Sequence, residues 1–77
     1  MSRRAVLWSQ SGCSYCVMAA RLLWANDYIV VEKKIGVNVT KEDFIREHGK
    51  DVRELPQIWI NGTRVEGGYS DLEIMLR

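Results

Sequence analysis

Apolar residues fall along this chain in short blocks of two kinds, separated by polar or glycine-bearing stretches. The first block, Arg4 to Trp8, is almost wholly apolar and is bounded by Ser9-Gln10-Ser11-Gly12. A run of that length followed by turn-forming residues predicts a short buried strand ending in a loop. From Ser14 to about Ala25 the composition shifts to Val17, Met18, Ala19, Ala20, Leu22, Leu23 and Trp24. These are mostly good helix formers with no Gly or Pro among them, so a helix is expected there, ending at Asn26-Asp27. Tyr28-Ile29-Val30-Val31 is aromatic and β-branched and predicts a second strand, running out through Glu32-Lys33-Lys34 to Gly36.

The remaining elements carry sharper signals. Thr40 followed three residues later by Asp43 resembles a helix N-cap, and Gly49 suits the position after a helix ending near His48. Gln57 to Ile60 predicts a strand, Asn61-Gly62 a tight hairpin turn, and Thr63 to Glu66 the returning strand. Gly67-Gly68 breaks that strand. Ser70-Asp71-Leu72-Glu73 then fits a capping box, with Ser70 as N-cap and Glu73 reaching back to it, before a short amphipathic helix to Arg77. The order is β-α-β-α-β-β-α. A helical crossover between the first two strands and a terminal hairpin imply an α/β fold, with a four-stranded mixed sheet and three helices packed on it.

With 77 residues, the chain is expected to form one domain, 1–77. Eleven basic against ten acidic residues leave a formal charge of +1, which argues against a nucleic-acid partner. The apolar stretch after Arg3-Arg4 is too short for a secretory signal or a membrane span, so we expect a cytoplasmic protein without membrane association.

Chemistry enters with the two cysteines, Cys13 and Cys16. A disulfide between them would close almost no loop and add little stability, so the pair reads as reactive rather than as a staple. It sits where a strand gives way to a helix. Backbone N–H groups of the first helical turn should point at Cys13 and favour its thiolate, while Cys16 should be more buried. Thiol pKa values in such settings fall from about 8.5 to about 3.5–7.5. A value near 5 would raise the thiolate fraction at neutral pH roughly thirtyfold, and the accompanying loss of nucleophilicity nearly cancels that gain. The net benefit is a better leaving group, which makes a mixed disulfide at Cys13 easy to resolve. Structural zinc needs four ligands, and two Cys with the distant His48 make a poor set. No metal site within the chain is expected.

Three segments in order resemble the glutaredoxin family: Gly12-Cys13-Ser14-Tyr15-Cys16, Leu55-Pro56-Gln57-Ile58-Trp59-Ile60-Asn61-Gly62, and Gly67-Gly68-Tyr69-Ser70-Asp71-Leu72. The resemblance implies a thioredoxin-like fold and a glutathione-dependent thiol–disulfide oxidoreductase of the small dithiol type. Cys13 would be the nucleophile and Cys16 the resolving thiol, with a cis Pro56 beside them. The implied glutathione site comprises Tyr15 flanking the groove, Leu55 pairing through its backbone, Pro56, Gly68, Tyr69, and the helix opening at Ser70-Asp71 for the γ-glutamyl carboxylate. Arg53 matches a family arginine near the groove and would hold the second carboxylate. Implied partners are glutathione as co-substrate and disulfide-containing proteins, ribonucleotide reductase among them, with the protein acting as a monomer.

Three positions depart from the family pattern. Ser14 stands where most members have Pro, Glu54 where they have Thr, and Gln10 where they have Lys or Arg. Some glutaredoxins with Ser at this position hold a [2Fe–2S] cluster between two monomers, so an iron–sulfur carrier is one alternative. A redoxin reduced by thioredoxin reductase is another. Outside the site, Trp8 and Trp59 read as core or half-buried sheet residues, Trp24 as closing the first helix against the core, and His48 as a helix-end residue suited to the dipole. Glu32-Lys33-Lys34 and Lys50-Asp51 read as solvated charges.

Overall fold

The computed structural model describes residues 3–77. The elements are β1 (Arg4–Gln10), α1 (Ser14–Ala25), β2 (Ile29–Ile35), α2 (Lys41–His48), β3 (Gln57–Ile60), β4 (Thr63–Val65) and α3 (Tyr69–Met75), in the expected order. The four strands form one sheet in the order β2-β1-β3-β4. β1 pairs in parallel with β2, Leu7 lying opposite Glu32, and antiparallel with β3, Leu7 lying opposite Ile58. The β3–β4 hairpin turns at Asn61-Gly62, whose φ values of 49° and 85° are both positive, as a two-residue turn of the favoured hand requires.

Side-chain alternation along β1 divides the interior into two layers. On one face Ala5 and Leu7 join Ile58 and Val65, and this surface buries Ala19, Ala20 and Leu23 of α1 and Leu72 of α3. The inward residues of α1, Cys16, Ala19, Ala20 and Leu23, follow the spacing of one helical face. Burying each large apolar side chain of this set contributes about 1.5–3 kcal/mol. On the opposite face Trp8 meets the ring edges of α2, with its centroid 5.7 Å from Phe44 and 4.9 Å from His48.

Several expectations are corrected here. Trp24 does not close α1 against the core: it is 56% exposed. One residue past the buried Leu23, it is turned about 100° off the buried stripe. β1 runs two residues beyond Trp8, through Ser9 and Gln10, because the parallel ladder with β2 continues to Gln10 opposite Ile35. Ser9 is 1% exposed, and its hydroxyl donates to the Glu32 carboxylate at 2.6 Å. Lys33 lies over the Trp8 ring, its Nζ 4.9 Å from the centroid. Glu32 and Lys33 are therefore half-buried partners of β1 and not plain solvated charges.

The third helix also begins differently. Gly68 is its N-cap and makes no side-chain capping bond, while Asp71 reaches back to accept the Gly67 N–H at 3.0 Å. Glu73 turns instead to Arg77, forming two hydrogen bonds of 2.9 Å. The glycine pair turns so tightly that the helix starts before Ser70 can cap it.

At α2 the expected cap is complete. The Thr40 hydroxyl accepts the Asp43 N–H at 3.0 Å, and the Asp43 carboxylate accepts the Thr40 N–H at 2.9 Å. Thr40→Ala should cost about 1 kcal/mol, lowering the melting temperature by about 4–8 °C in calorimetry. The Thr40 backbone N–H, the Asp43 bond to the Thr40 hydroxyl, and then the Arg46 guanidinium hold the Asp43 carboxyl below its ordinary value of 3.8. A lowered folded-state value contributes stability that is present above the unfolded-state value and is lost as pH falls through the folded one. Asp43→Asn should therefore lower stability to urea at neutral pH, and its difference from the parent should vanish in strong acid.

Candidate active site

The end of β1 delivers the chain through Ser11-Gly12 to Cys13, which is the N-cap of α1 with an extended backbone (φ −98°, ψ 102°). Gly12, at φ +79°, makes the reversal that puts Cys13 there. The Cys16 N–H donates to Cys13 Sγ at 3.3 Å, in the position where a capping oxygen usually accepts. Sulfur at a helix N-terminus with an N–H aimed at it is favoured as a thiolate. Cys13 and Cys16 are joined as a disulfide with their Cα atoms 5.2 Å apart. Their surroundings differ sharply. Cys16 is 2% exposed, whereas Cys13 is only half-buried. Only Cys13 can be approached from outside.

The loop into β3 closes the other side. The Leu55–Pro56 peptide is cis, and Cys13 Sγ lies 3.9 Å from the Leu55 carbonyl oxygen. A groove of about 400 Å³ opens beside it and brings together Tyr15, Leu55, Pro56, Gly68, Tyr69 and Ser70, from three separate parts of the chain. The Tyr15 and Tyr69 rings lie 5.7 Å apart. Gly68 sits at φ +63°, and a Cβ there would come within 3.4 Å of the Pro56 carbonyl oxygen. Asp71 is engaged just outside the groove, on the Gly67 N–H. A Cβ at Gly67 would run into the Asp71 carboxylate, so glycine at that position leaves room for the bond.

Arg53 lies elsewhere. It lines a neighbouring basin of about 590 Å³ with Gln10, Lys41, Lys50 and Leu55, and that basin has no acidic residue in its wall. Leu55 belongs to both hollows, and its carbonyl oxygen is the atom 3.9 Å from Cys13 Sγ. A larger hollow of about 710 Å³ lies beside Trp8 and Trp59 and shares no residue with the Tyr15–Gly68 groove.

Sequence reasoning did not assign Arg64, Glu66 and Gln57 to the groove wall, and it noted Glu54 only as a departure. Gln57 is 5% exposed; its amide donates to the Glu54 carbonyl at 2.8 Å and its carbonyl accepts from Arg64 Nε at 3.3 Å. The hairpin turn fixes the register that sets Arg64 opposite Trp59, on the sheet face that Gln57 shares. That part was available in the sequence. Among the described residues, no three His, Cys, Asp or Glu side chains converge on a metal-sized site.

The glutaredoxin family model matches residues 5–65. The chain belongs to the glutaredoxin family. Glutaredoxin 1 of Escherichia coli is 31% identical over 77 residues, covering 88% of this chain and 86% of that protein. A glutaredoxin of Haemophilus influenzae is 33% identical over 79 residues, covering 94% and 88%. The crystal structure of glutaredoxin 1 from Francisella tularensis complexed with cacodylate superposes with a TM-score of 0.76 at 23% identity, covering 95% of this chain and 91% of that one, and shares its fold. This glutaredoxin is accordingly a thiol–disulfide oxidoreductase with a thioredoxin-like fold, and the Cys13–Cys16 pair is its redox-active pair. No helix among the described residues is long and apolar enough to cross a membrane.

Gly68→Ala tests the groove independently of the thiols. A side chain at this φ costs about 1–3 kcal/mol. The variant should melt lower, and its KM for a glutathionylated peptide should rise more than its kcat falls. Steady-state kinetics together with a melting curve check both.

Proposed function

We propose that this glutaredoxin reduces glutathione mixed disulfides and protein disulfides at the expense of glutathione, acting in the cytoplasm as a single-domain monomer. The observation that carries the reading is the Cys13 sulfur, held by the Cys16 N–H and 3.9 Å from the carbonyl oxygen of Leu55, the residue shared by two hollows of different charge. Glutathione is itself unsymmetrical. Its γ-glutamyl end carries an ammonium and a carboxylate on one carbon, and its glycine end carries a carboxylate alone. The charged residues of the Tyr15–Gly68 groove are Arg64, Glu54 and Glu66, and those of the Arg53 basin are all cations. A tripeptide spanning Leu55 would meet matching charge at both ends, with its glycine carboxylate at Arg53, which can grip it in bidentate fashion.

The reaction follows from the two exposures. The Cys13 thiolate attacks the glutathionyl sulfur of a mixed disulfide and releases the target thiolate. A second glutathione thiolate then attacks the sulfur bound to Cys13, releasing the Cys13 thiolate and glutathione disulfide. With a protein disulfide, Cys13 forms the mixed disulfide with the substrate and Cys16 resolves it, leaving Cys13–Cys16 oxidised for reduction by glutathione. Ribonucleotide reductase is a protein-disulfide substrate that fits the second route. A shared [2Fe–2S] cluster would draw one Cys13 from each of two chains; Cys16 standing in bonding reach of Cys13 favours turnover instead.

Reduction coupled to glutathione and glutathione reductase should run well above reduction coupled to thioredoxin reductase on the same preparation. The reverse order would assign the chain to the thioredoxin pathway. Cys13→Ser should abolish both activities, since no other exposed thiol can form the mixed disulfide. Cys16→Ser should keep reduction of glutathionylated peptide and lose most reduction of an intramolecular protein disulfide. Equal loss of both activities in Cys16→Ser would show that the roles are misassigned.

A further inference from the structure

The wall of the Tyr15–Gly68 groove holds one side-chain cation, Arg64, and its placement is supported by a chain of specific contacts. Gln57 is buried and cannot turn freely. With its amide nitrogen committed to the Glu54 carbonyl at 2.8 Å, its oxygen is the end presented to Arg64 Nε. That bond uses one of the five N–H groups of the guanidinium. Among the described residues Arg64 forms no ion pair, although Glu54 and Glu66 line the same groove. The remaining donors form a planar fork suited to a carboxylate.

We propose that Arg64 is the specificity residue for the α-carboxylate of the γ-glutamyl group, with Gln57 as its positioning residue; this rests on the glutathione reading above. α3 has seven residues, and Asp71 already places a carboxylate at its start. A second anion arriving there meets a negative charge, and a fixed guanidinium across the groove offsets it. Glu54 and Glu66 then face the ammonium on the same carbon of the ligand. The groove thus selects a zwitterionic head rather than a simple anion. It also accounts for Glu54 standing where most family members have an uncharged residue.

The test separates recognition of this head from thiol chemistry. Two disulfides of one peptide are prepared, one with glutathione and one with cysteinylglycine, which lacks the γ-glutamyl group. Second-order rate constants for reaction with the pre-reduced protein are measured for the parent, Arg64→Gln and Arg64→Lys. Arg64 is exposed on an edge strand, so both variants should fold normally, which melting curves verify. A charged hydrogen bond partly screened by solvent corresponds to about five- to tenfold here. Arg64→Gln should slow the glutathionyl peptide by that factor and leave the cysteinylglycine peptide within about twofold, with Arg64→Lys recovering the greater part and the parent's preference shrinking at high salt. Equal slowing of both peptides, slowing of neither, or a Lys variant as slow as the Gln variant would overturn the assignment. If the parent does not prefer the glutathionyl peptide, the glutathione reading itself fails, which is a different result from any of these.

Discussion

Strand β1 has hydrogen-bonded neighbours on both edges and helices against both faces, and that enclosure governs the rest of the molecule. A strand covered on both sides must be apolar almost throughout, which is why Ala5, Val6, Leu7 and Trp8 follow one another without the usual alternation. Because β1 cannot shift without disrupting the sheet and both helical layers, the residues just beyond it are fixed in space. Cys13 is one of them, and its place at the start of α1 follows from the strand's length and the reversal at Gly12.

The reactive centre uses what that placement supplies. A helix start leaves backbone donors without internal partners, and here a sulfur atom takes the place of the usual capping oxygen. The same helix that stabilises the sulfur buries Cys16 along its inward face, so one geometric element makes one thiol accessible and the other protected. The proposed order of attack, Cys13 first and Cys16 second, follows from that helix geometry and needs no general base.

The buried polar side chains of Ser9 and Gln57 are satisfied by partners outside their own strands, whereas His48 Nε2, among the described residues, is buried without one. Ser9 finds Glu32 one strand away, and Gln57 joins the Glu54 backbone to Arg64 across the hairpin. An unpaired buried hydroxyl or amide would cost about 1–3 kcal/mol, so these partners are kept in register with the sheet. In this way Glu32, which reads as a solvated charge in the sequence, is drawn into the structure. The register of β3 and β4 likewise carries Arg64 into the active-site groove.

Periodicity, turn residues and cap signals were enough for the order of all seven elements, the type of hairpin, the cap of α2 and the reactive pair, because each depends on residues within a few positions of one another. Composition could not tell where α3 starts. There Ser70 and Glu73 satisfy the local pattern, but a tight glycine turn and the reach of Asp71 decide the cap. Nor could it place Trp24, whose exposure depends on which face of α1 the sheet covers. The hairpin register put Arg64 on the Gln57 face, but only tertiary structure separated Arg53 from the Tyr15–Gly68 groove and brought that face to Tyr15 and Gly68. Both depend on how the Leu55–Pro56 segment leads from the loop after α2 into β3, with Leu55 in the wall of both hollows. Local chemistry set the reactive sulfur, and long-range packing chose the charges that line the two hollows meeting at Leu55.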